Sequence, residues 1–287
     1  MTPGDASDLK QIITLFLPTS NSGHRSAFTV LELLITVSIL VVLASLIFIG
    51  VSQGFKAAGK AQDVALARDL TAGFGGTAAD GNGRYLPGYD RRVDEVILQN
   101  GRVVAGPTAN RYPFRLAREM ASTVEKIALV GKVKDQVDAS NDYLVSLYPA
   151  FGINHYFVGG DVQADGSVSH DSECVTRPEQ ASGSVIVFAT AGSIRGDGEI
   201  INGYNTLTPP YLTTRMWSTE RWQIGADPTD YGNLDARHGR KVVASFLDGS
   251  IRSLEVEEMR DMRLWSVKAA IENDPDYKIR RSRRGRL

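Results

Sequence analysis

The chain has 287 residues, of which 43% are hydrophobic, so it is long enough for one large domain or for a medium domain with appendages. Its formal net charge of -1 gives no global electrostatic reason to expect nucleic acid or an acidic polymer as a partner. The single cysteine, Cys174, excludes an intramolecular disulfide and a cysteine-based metal cluster, and we expect it to be buried.

The first patterned element is an apolar run near the amino terminus. Residues 33–51 carry no charge, and at about 1.5 Å per residue they match the thickness of a bilayer's hydrocarbon core. Residues 56–73 continue as an Ala-rich segment with apolar Val64, Leu66 and Leu70 among mixed charges. We therefore predict a long helix over residues 28–78, membrane-spanning over 28–51 and amphipathic beyond, in which several glycines favour bends.

Glu32 is an acidic side chain just before this run. A lone carboxylate inside a bilayer costs at least about 2 kcal/mol unless a cation matches it. Cleavage between Ala27 and Phe28 would create an α-ammonium group at Phe28, one helical turn from Glu32. Pairing within one chain is geometrically awkward, because the amine lies at the helix start. Identical helices packed side by side and offset lengthwise would neutralise every charge.

The segment SAFTVLELL, residues 26–34, resembles the prepilin processing site of type IV pilins and type II secretion pseudopilins. The resemblance implies that residues 1–27 are a leader peptide, that a membrane-embedded prepilin peptidase cuts between Ala27 and Phe28, and that Phe28 is N-methylated. It also implies that Glu32 supports assembly by meeting a neighbour's terminus. Ala27 stands where the family usually has Gly. The alternative is an uncleaved signal anchor in which Glu32 has no such role.

Turn-forming residues after Gly76 indicate the end of the long helix and the start of a globular domain over residues 79–272. Residues 93–106 predict a hairpin whose Asn100 and Gly101 form a type I′ turn. A helix is expected over the Ala- and Leu-containing stretch that follows, at residues 110–130.

The second half of the domain is richer in strand patterns. Residues 182–191 predict a buried central strand, and residues 242–256 predict a hairpin that turns at Asp248 and Gly249. A closing helix is expected to begin near Glu257. The pattern indicates an α+β class, a long N-terminal helix followed by a domain with an antiparallel β-sheet. Residues 273–287 are expected to form a basic C-terminal tail.

The carboxy-terminal half carries a second resemblance. His238 lies ten residues before Asp248 and Gly249, and this His-x9-Asp-Gly arrangement is similar to a segment of pilin-like proteins common in Planctomycetes and Verrucomicrobia. FGINHYFVGG, residues 151–160, is similar to an aromatic-Gly-x-Asn segment of the same proteins. From the residues themselves, His238 and Asp248 could form an acid/base pair. A turn at Asp248 and Gly249 with a hydrogen bond of His238 at the strand entrance is the favoured interpretation.

Residues 159–173 form an acidic, Gly-containing stretch. It holds weak calcium candidates, Asp161, Asp165 and Asp171, because oxygen ligands on a loop suit calcium. The twelve-residue calcium-loop spacing is absent, so a solvated acidic loop is favoured and no other cofactor is expected. Trp217, Trp222 and Tyr231 could form an exposed aromatic surface, although packing in the core is the favoured interpretation.

No nucleophile elbow, phosphate-binding loop or dinucleotide fingerprint occurs, so we predict no catalytic residues and no enzyme. The leading hypothesis is a pseudopilin of the bacterial inner membrane, single-pass, with its C-terminal domain in the periplasm and able to enter a pilus or pseudopilus. Its expected partners are copies of itself, other pilin-like subunits, the prepilin peptidase, the secretion or pilus assembly platform and membrane lipid, but no nucleic acid. The alternative is a membrane-anchored envelope module that recognises a glycan or a protein.

Overall fold

The computed structural model describes residues 29–80, 83–170, 172–181 and 184–280. The helices are α1 (Val30–Asp80), α2 (Pro107–Asn110), α3 (Tyr112–Glu119), α4 (Val124–Ala128), α5 (Val133–Gln136), α6 (Asp142–Leu147) and α7 (Val267–Glu272). The strands are β1 (Tyr89–Asp90), β2 (Glu95–Ile97), β3 (Val103–Ala105), β4 (Phe151–Ile153), β5 (Asp161–Val162), β6 (Ile186–Thr190), β7 (Ser193–Ile194), β8 (Ile200–Ile201), β9 (Lys241–Phe246) and β10 (Ile251–Glu255). Short 3-10 turns cover Pro178–Gln180, Pro228–Tyr231, Glu258–Arg260 and Met262–Leu264.

Helix α1 is continuous, so its glycines do not interrupt it. The chain divides into two compact units after Ser52, within this helix. In the first unit, every residue from 29 to 51 is exposed. In the second unit, the helix buries one stripe of side chains at three- and four-residue spacing. The stripe comprises Asp63, Leu66, Ala67, Leu70, Thr71, Phe74, Thr77 and Ala78. The predicted change from an apolar to an amphipathic half is therefore confirmed.

The central sheet has four antiparallel strands in the order β10-β9-β6-β4. Every residue of β6 is buried, as predicted for a central strand, so both faces of the sheet are covered there. Strand β6 pairs with β9 through Ala189 and Ala244, and with β4 through Phe188 and Ile153. The predicted α+β class, with a long apolar N-terminal helix and an antiparallel sheet, is confirmed. A two-residue parallel pairing of β1 with β5 is an addition that the sequence did not indicate.

Aromatic rings connect the buried stripe of α1 to the sheet. Phe74 stacks on Tyr85 with ring centroids 4.9 Å apart, and it meets Phe188 of β6 edge-on at 5.8 Å. Phe74 and Phe188 are fully buried, and such burial contributes roughly 1.5–3 kcal/mol for each ring. A Cβ atom at the neighbouring Gly73 would require the flexible side chain of Met120 to move. These contacts fix the second half of α1 on the domain.

Strands β2 and β3 pair as predicted, but the type I′ turn between them is wrong. Gly101 has a φ of 80°, whereas Asn100 is outside the left-handed region. The N–H of Gly101 donates to the carbonyl of Leu98 at 2.9 Å, and the N–H of Leu98 donates to the carbonyl of Arg102 at 2.9 Å. This is a three-residue loop, a type I turn followed by one left-handed glycine. The side chain of Asn100 accepts the N–H of Arg102 at 3.0 Å, which holds Asn100 in the turn without positive φ.

A single helix over residues 110–130 is also wrong, because α3 and α4 divide this stretch. Ala121 has a φ of 51°. The N–H of Ser122 donates to the carbonyl of Ala117 at 2.9 Å, and the N–H of Ala121 donates to that of Arg118 at 3.1 Å. These two bonds form a Schellman motif, which usually has Gly at its left-handed position. With Ala in that position, the sequence carries no visible signal for the helix end.

The closing helix begins at Val267 and not near Glu257. The two last 3-10 turns occupy the residues before it. The indole of Trp265 is fully buried and donates to the carbonyl of Met259 at 2.8 Å. This hydrogen bond spans the two 3-10 turns. Ser266 is the N-cap of this helix, because its side chain accepts the backbone N–H of Ala269.

The residues after α7 pack on the domain. Tyr277 is buried, and its hydroxyl donates to Glu173 at 2.8 Å. The N–H of Ile279 donates to the carbonyl of Leu212 at 3.0 Å. Any solvated basic tail therefore begins after Ile279, and residues 281–287 of the predicted tail lie outside the described residues.

Candidate functional site

The amino end of α1 is closed by a reciprocal pair of hydrogen bonds between Thr29 and Glu32. One carboxylate oxygen of Glu32 accepts the backbone N–H and the hydroxyl of Thr29, each at 2.9 Å. The hydroxyl of Thr29 in turn accepts the N–H of Glu32 at 3.1 Å. This is a capping box, a role of Glu32 that the sequence analysis did not predict. Ala27 and Phe28, the predicted cleavage and methylation residues, lie outside the described residues.

The surface of α1 that follows is suited to hydrocarbon. From residue 30 to residue 51 the only ionisable side chain is Glu32. The hydroxyls of Thr36, Ser38 and Ser45 donate to carbonyls three or four residues earlier, at 2.7–2.9 Å, so they need no external partner. By length and composition, this one helix of the described residues could cross a membrane.

His238 and Arg237 converge on Asp63 of α1, and we call these three residues the Asp63 cluster. The Nε2 atom of His238 lies 2.5 Å from Oδ2 of Asp63, and Nε of Arg237 donates to the same oxygen at 2.8 Å. The side chain of Asp63 is 3% exposed. Arg237 also donates to the carbonyls of Asn202 and Ala150, at 2.9 and 3.2 Å. The cluster therefore joins α1 to the segment that leads into β9.

Asp63 was not predicted as a site residue, although the sequence carries a signal for it. Asp63 lies three residues before Leu66 and seven before Leu70, on the apolar face of an amphipathic helix. A carboxylate on such a face needs a buried cationic or hydrogen-bonding partner, because an unpaired buried charge is costly. The sequence does not reveal that this partner is His238, because His238 lies 175 residues further along the chain.

The pKa of Asp63 is lowered from its ordinary value of 3.8. Burial by itself would raise this pKa, but the hydrogen bond with His238 and the charge and hydrogen bond of Arg237 outweigh burial. Since folding lowers its pKa, Asp63 stabilises the folded state fully above pH 3.8. That stabilisation is lost as the pH falls through the lower folded-state value.

Asp248 and Gly249 form the turn between β9 and β10, as predicted. Gly249 has a φ of 81° and donates its N–H to Phe246, while Asp248 accepts the N–H of Ser250 at 2.8 Å. His238 lies at the opposite end of β9, so roughly 20 Å of extended strand separates it from Asp248. An acid/base pair of His238 and Asp248 is therefore wrong. The favoured hydrogen bond at the strand entrance is made by the backbone of His238, with Lys241, whereas the side chain of His238 bonds Asp63 of α1.

The acidic stretch after Gly160 does not form a metal centre in the described part of the chain. Asp165 accepts the N–H and hydroxyl of Ser167 at 2.9 and 2.6 Å, which is a local turn. Asp161 belongs to β5, and Asp171 lies outside the described residues. Among the residues that the structure describes, no three His, Cys, Asp or Glu side chains are grouped so that they could hold a metal ion.

Two further sequence features have structural roles. Asn154, in the segment similar to the pilin-like proteins, is fully buried and donates to the carbonyls of Ile186 and Trp265 at 2.9 and 3.1 Å. Trp217 and Tyr231 are buried, so the predicted core packing of these two aromatic residues is confirmed. An exposed aromatic surface is not formed by them.

Comparisons with protein-family models, with curated proteins and with solved structures found no match to this chain.

Proposed function

We propose that this chain is a pilin-like structural subunit of the pseudopilin type. A prepilin peptidase cuts the membrane-held precursor before Phe28 and then N-methylates the new amino terminus at Phe28. The mature chain then assembles with copies of itself and other pilin-like subunits on a secretion or pilus platform of the bacterial inner membrane. The observation that carries the proposal is an exposed apolar helix, residues 30–51, whose only ionisable side chain is Glu32.

Exposure of this helix is the first support. Large apolar side chains cover its whole circumference, and Val30, Leu46 and Phe48 are examples with more than half of their surface exposed. Such a surface is unfavourable in water, so lipid or neighbouring helices must cover it. A bundle of identical helices satisfies this requirement as well as a bilayer does. Arg25, just before the apolar run, agrees with a cytoplasmic leader and a periplasmic domain.

Charge is the second support. In the capping box, both hydrogen bonds to the carboxylate of Glu32 use Oε2. The other oxygen makes no hydrogen bond to any residue that the structure describes. It can accept a hydrogen bond from the α-ammonium group of a neighbouring chain cut at Phe28, while the first oxygen keeps the helix capped.

Mass spectrometry of the mature chain from membranes of a host that carries a prepilin peptidase tests the processing step. We expect an amino-terminal peptide that begins with N-methylated Phe28. An intact Met1, or a cut after residue 50, would contradict the proposal directly.

Two substitutions at one position separate assembly by charge from helix capping. Glu32→Gln keeps a side chain that serves a capping box but removes the charge, whereas Glu32→Ala removes both. We expect both variants to reduce recovery in sheared filaments by about tenfold or more, because an unmatched α-ammonium in hydrocarbon costs at least about 2 kcal/mol.

Thr29→Ala is the matched control, since it removes the capping hydroxyl and keeps the charge. We expect this variant to assemble. If Glu32→Gln assembled like the parent chain, charge matching would be refuted and Glu32 would be a cap alone.

A membrane-anchored envelope module that recognises a glycan or a protein is the alternative function. It keeps α1 as an anchor but needs no processing and no contact between helices. An unprocessed amino terminus, together with unchanged binding of the glycan or protein by Glu32→Gln, would favour this alternative.

A further inference from the structure

The globular unit contains a cavity of about 460 Å³ between residues 84–87, helix α3 and the residues around β5. Ligand sites commonly have volumes of about 300–1,000 Å³. One wall is apolar and is formed by Tyr85, Leu86, Pro87, Val93, Val162 and Val168. The cavity therefore has the size and the lining of a site for a small organic molecule.

The charged side chains of the cavity are unbalanced. They are Arg84, Asp90, Arg92, Arg115, Arg118 and Glu119. Arg92 binds Asp90 through two hydrogen bonds of 3.0 and 2.8 Å, and Arg118 binds Glu119 at 2.5 Å. The other two arginines form no ion pair within the part of the chain that the structure describes. The cavity is thus lined by an excess of two positive charges.

Arg115 is the less usual of these two arginines, because it is only 4% exposed. Its Nη2 atom donates to the carbonyls of Pro87 and Asn110, at 2.7 and 2.8 Å. Its Nε atom is buried and has no hydrogen-bond partner among the described residues. Burial lowers the pKa of Arg115 to about 10, whereas the negative charge of Asp90 acts in the opposite direction.

A buried guanidinium without a direct ion pair is unfavourable, and an anion in the cavity would offset that cost. Guanidinium groups bind carboxylate, phosphate and sulfate through paired, charge-assisted hydrogen bonds. Arg84 also lines the cavity, is exposed, and has no ion-pair or hydrogen-bond partner among the residues described, so its guanidinium is available to such an anion.

We propose that this cavity binds a small organic molecule that carries a carboxylate, phosphate or sulfate group. Arg115 and Arg84 hold the oxygens of that group, and the carbon skeleton lies against the apolar wall. The site does not depend on filament assembly, so its presence or absence leaves the pseudopilin proposal untouched.

Isothermal titration of the full chain in a nonionic detergent tests the site with matched probes. D-galacturonate, glucose 6-phosphate and glucose 6-sulfate present the three anionic groups on a hexose, and glucose is the neutral control. We expect saturable one-to-one binding of at least one anion, weakened by added salt, and none of glucose. The anion that binds identifies the group that the cavity accepts.

Substitutions locate the binding. Arg84→Gln is expected to weaken the affinity by about tenfold, the effect of losing one charge-assisted contact. Arg91→Gln removes an exposed arginine that contacts the ring of Tyr89 outside the cavity, and we expect no change. Arg115→Lys keeps the charge but loses the planar fork, so it should also weaken binding.

Circular dichroism checks that each variant folds, and if Arg115→Lys does not, Arg84→Gln decides alone. Absence of saturable binding by all three anions at millimolar concentration would overturn the proposal. Binding that Arg84→Gln leaves unchanged, or that Arg91→Gln weakens equally, would overturn it as well.

Discussion

Asp63 is the polar residue that, beside the apolar contacts of Phe74, joins helix α1 to the rest of the globular unit. It receives both His238 and Arg237 on one carboxylate oxygen, and it is almost completely buried. The His-x9-Asp-Gly segment thus has two separate structural roles. His238 helps to dock α1, and Asp248 with Gly249 turns the hairpin at the other end of β9.

Asp63→Ala should lower the free energy of unfolding by about 2–3 kcal/mol, because it removes the carboxylate that His238 and Arg237 share. Arg237 keeps Asp235, at 3.2 Å, as its remaining counter-ion. The matched control is Asp69→Ala on the exposed face of the same helix, which should change the free energy by less than about 0.5 kcal/mol. Urea denaturation of the detergent-solubilised chain, followed by tryptophan fluorescence, measures both. Equal effects of the two substitutions would show that the Asp63 cluster does not stabilise the domain.

The lowered pKa of Asp63 also predicts a pH dependence. The parent chain should lose the contribution of this carboxylate as the pH falls below 3.8, whereas Asp63→Asn cannot lose it. The difference in midpoint temperature between the two chains should therefore be constant above about pH 5 and shrink toward pH 3. A difference that stays the same down to pH 3 would contradict the assigned role.

At the scale of elements, single backbone positions decide where helices and hairpins end. Gly249 turns the β9–β10 hairpin at a φ of 81°, and the Asp-Gly pair makes this turn readable from sequence. Ala121 ends α3 at a φ of 51°, and nothing in its side chain announces a left-handed conformation. Both outcomes depend on a left-handed residue. The residue type reveals it at Gly249, where the predicted hairpin was right, but not at Ala121, where the predicted long helix was wrong.

Opposite substitutions at these two positions should have opposite effects. Gly249→Ala should destabilise the fold by about 1 kcal/mol, because a Cβ atom is unfavourable in the left-handed region. Ala121→Gly should relieve that cost and stabilise by about 0.5 kcal/mol, after the larger entropy loss of glycine. Shifts of the urea midpoint measure both, and two shifts of the same sign would refute the argument.

At the scale of the whole molecule, helix α1 belongs to two compact units with different surroundings. Its first part, up to Ser52, has no buried side chain, and its second part has a buried stripe that belongs to the globular core. Before Ser52 the length and composition of the helix are compatible with a membrane span, and after Ser52 its buried stripe belongs to the protein core. The proposed subunit needs both environments at once.

Leu40→Arg should weaken membrane retention, because a central arginine costs about 2.5–3.5 kcal/mol on insertion. Ala65→Arg, at an exposed position in the second part of α1, introduces the same charge outside the proposed span and should leave retention unchanged. The fraction of chain that resists carbonate extraction from membranes measures the difference. Equal retention of the two variants would contradict a span over residues 28–51.

The sequence by itself determined the features that depend on near neighbours. The apolar run, the amphipathic stripe with Leu66 and Leu70, the buried strand β6 and the Asp-Gly hairpin all follow from the spacing of residue types within a few turns. Periodicity and turn chemistry are local properties, so one sequence suffices to predict them.

Only the tertiary structure decided what distant segments do together. The pairing of Asp63 with His238 and the burial of Arg115 depend on which groups meet in space and which desolvation costs are offset. A buried carboxylate or guanidinium predicts that a partner exists, but loop closure over many residues decides which one it is. This is why Asp63 and the arginine-lined cavity emerged from the fold, and the motif around Phe28 and Glu32 from the sequence.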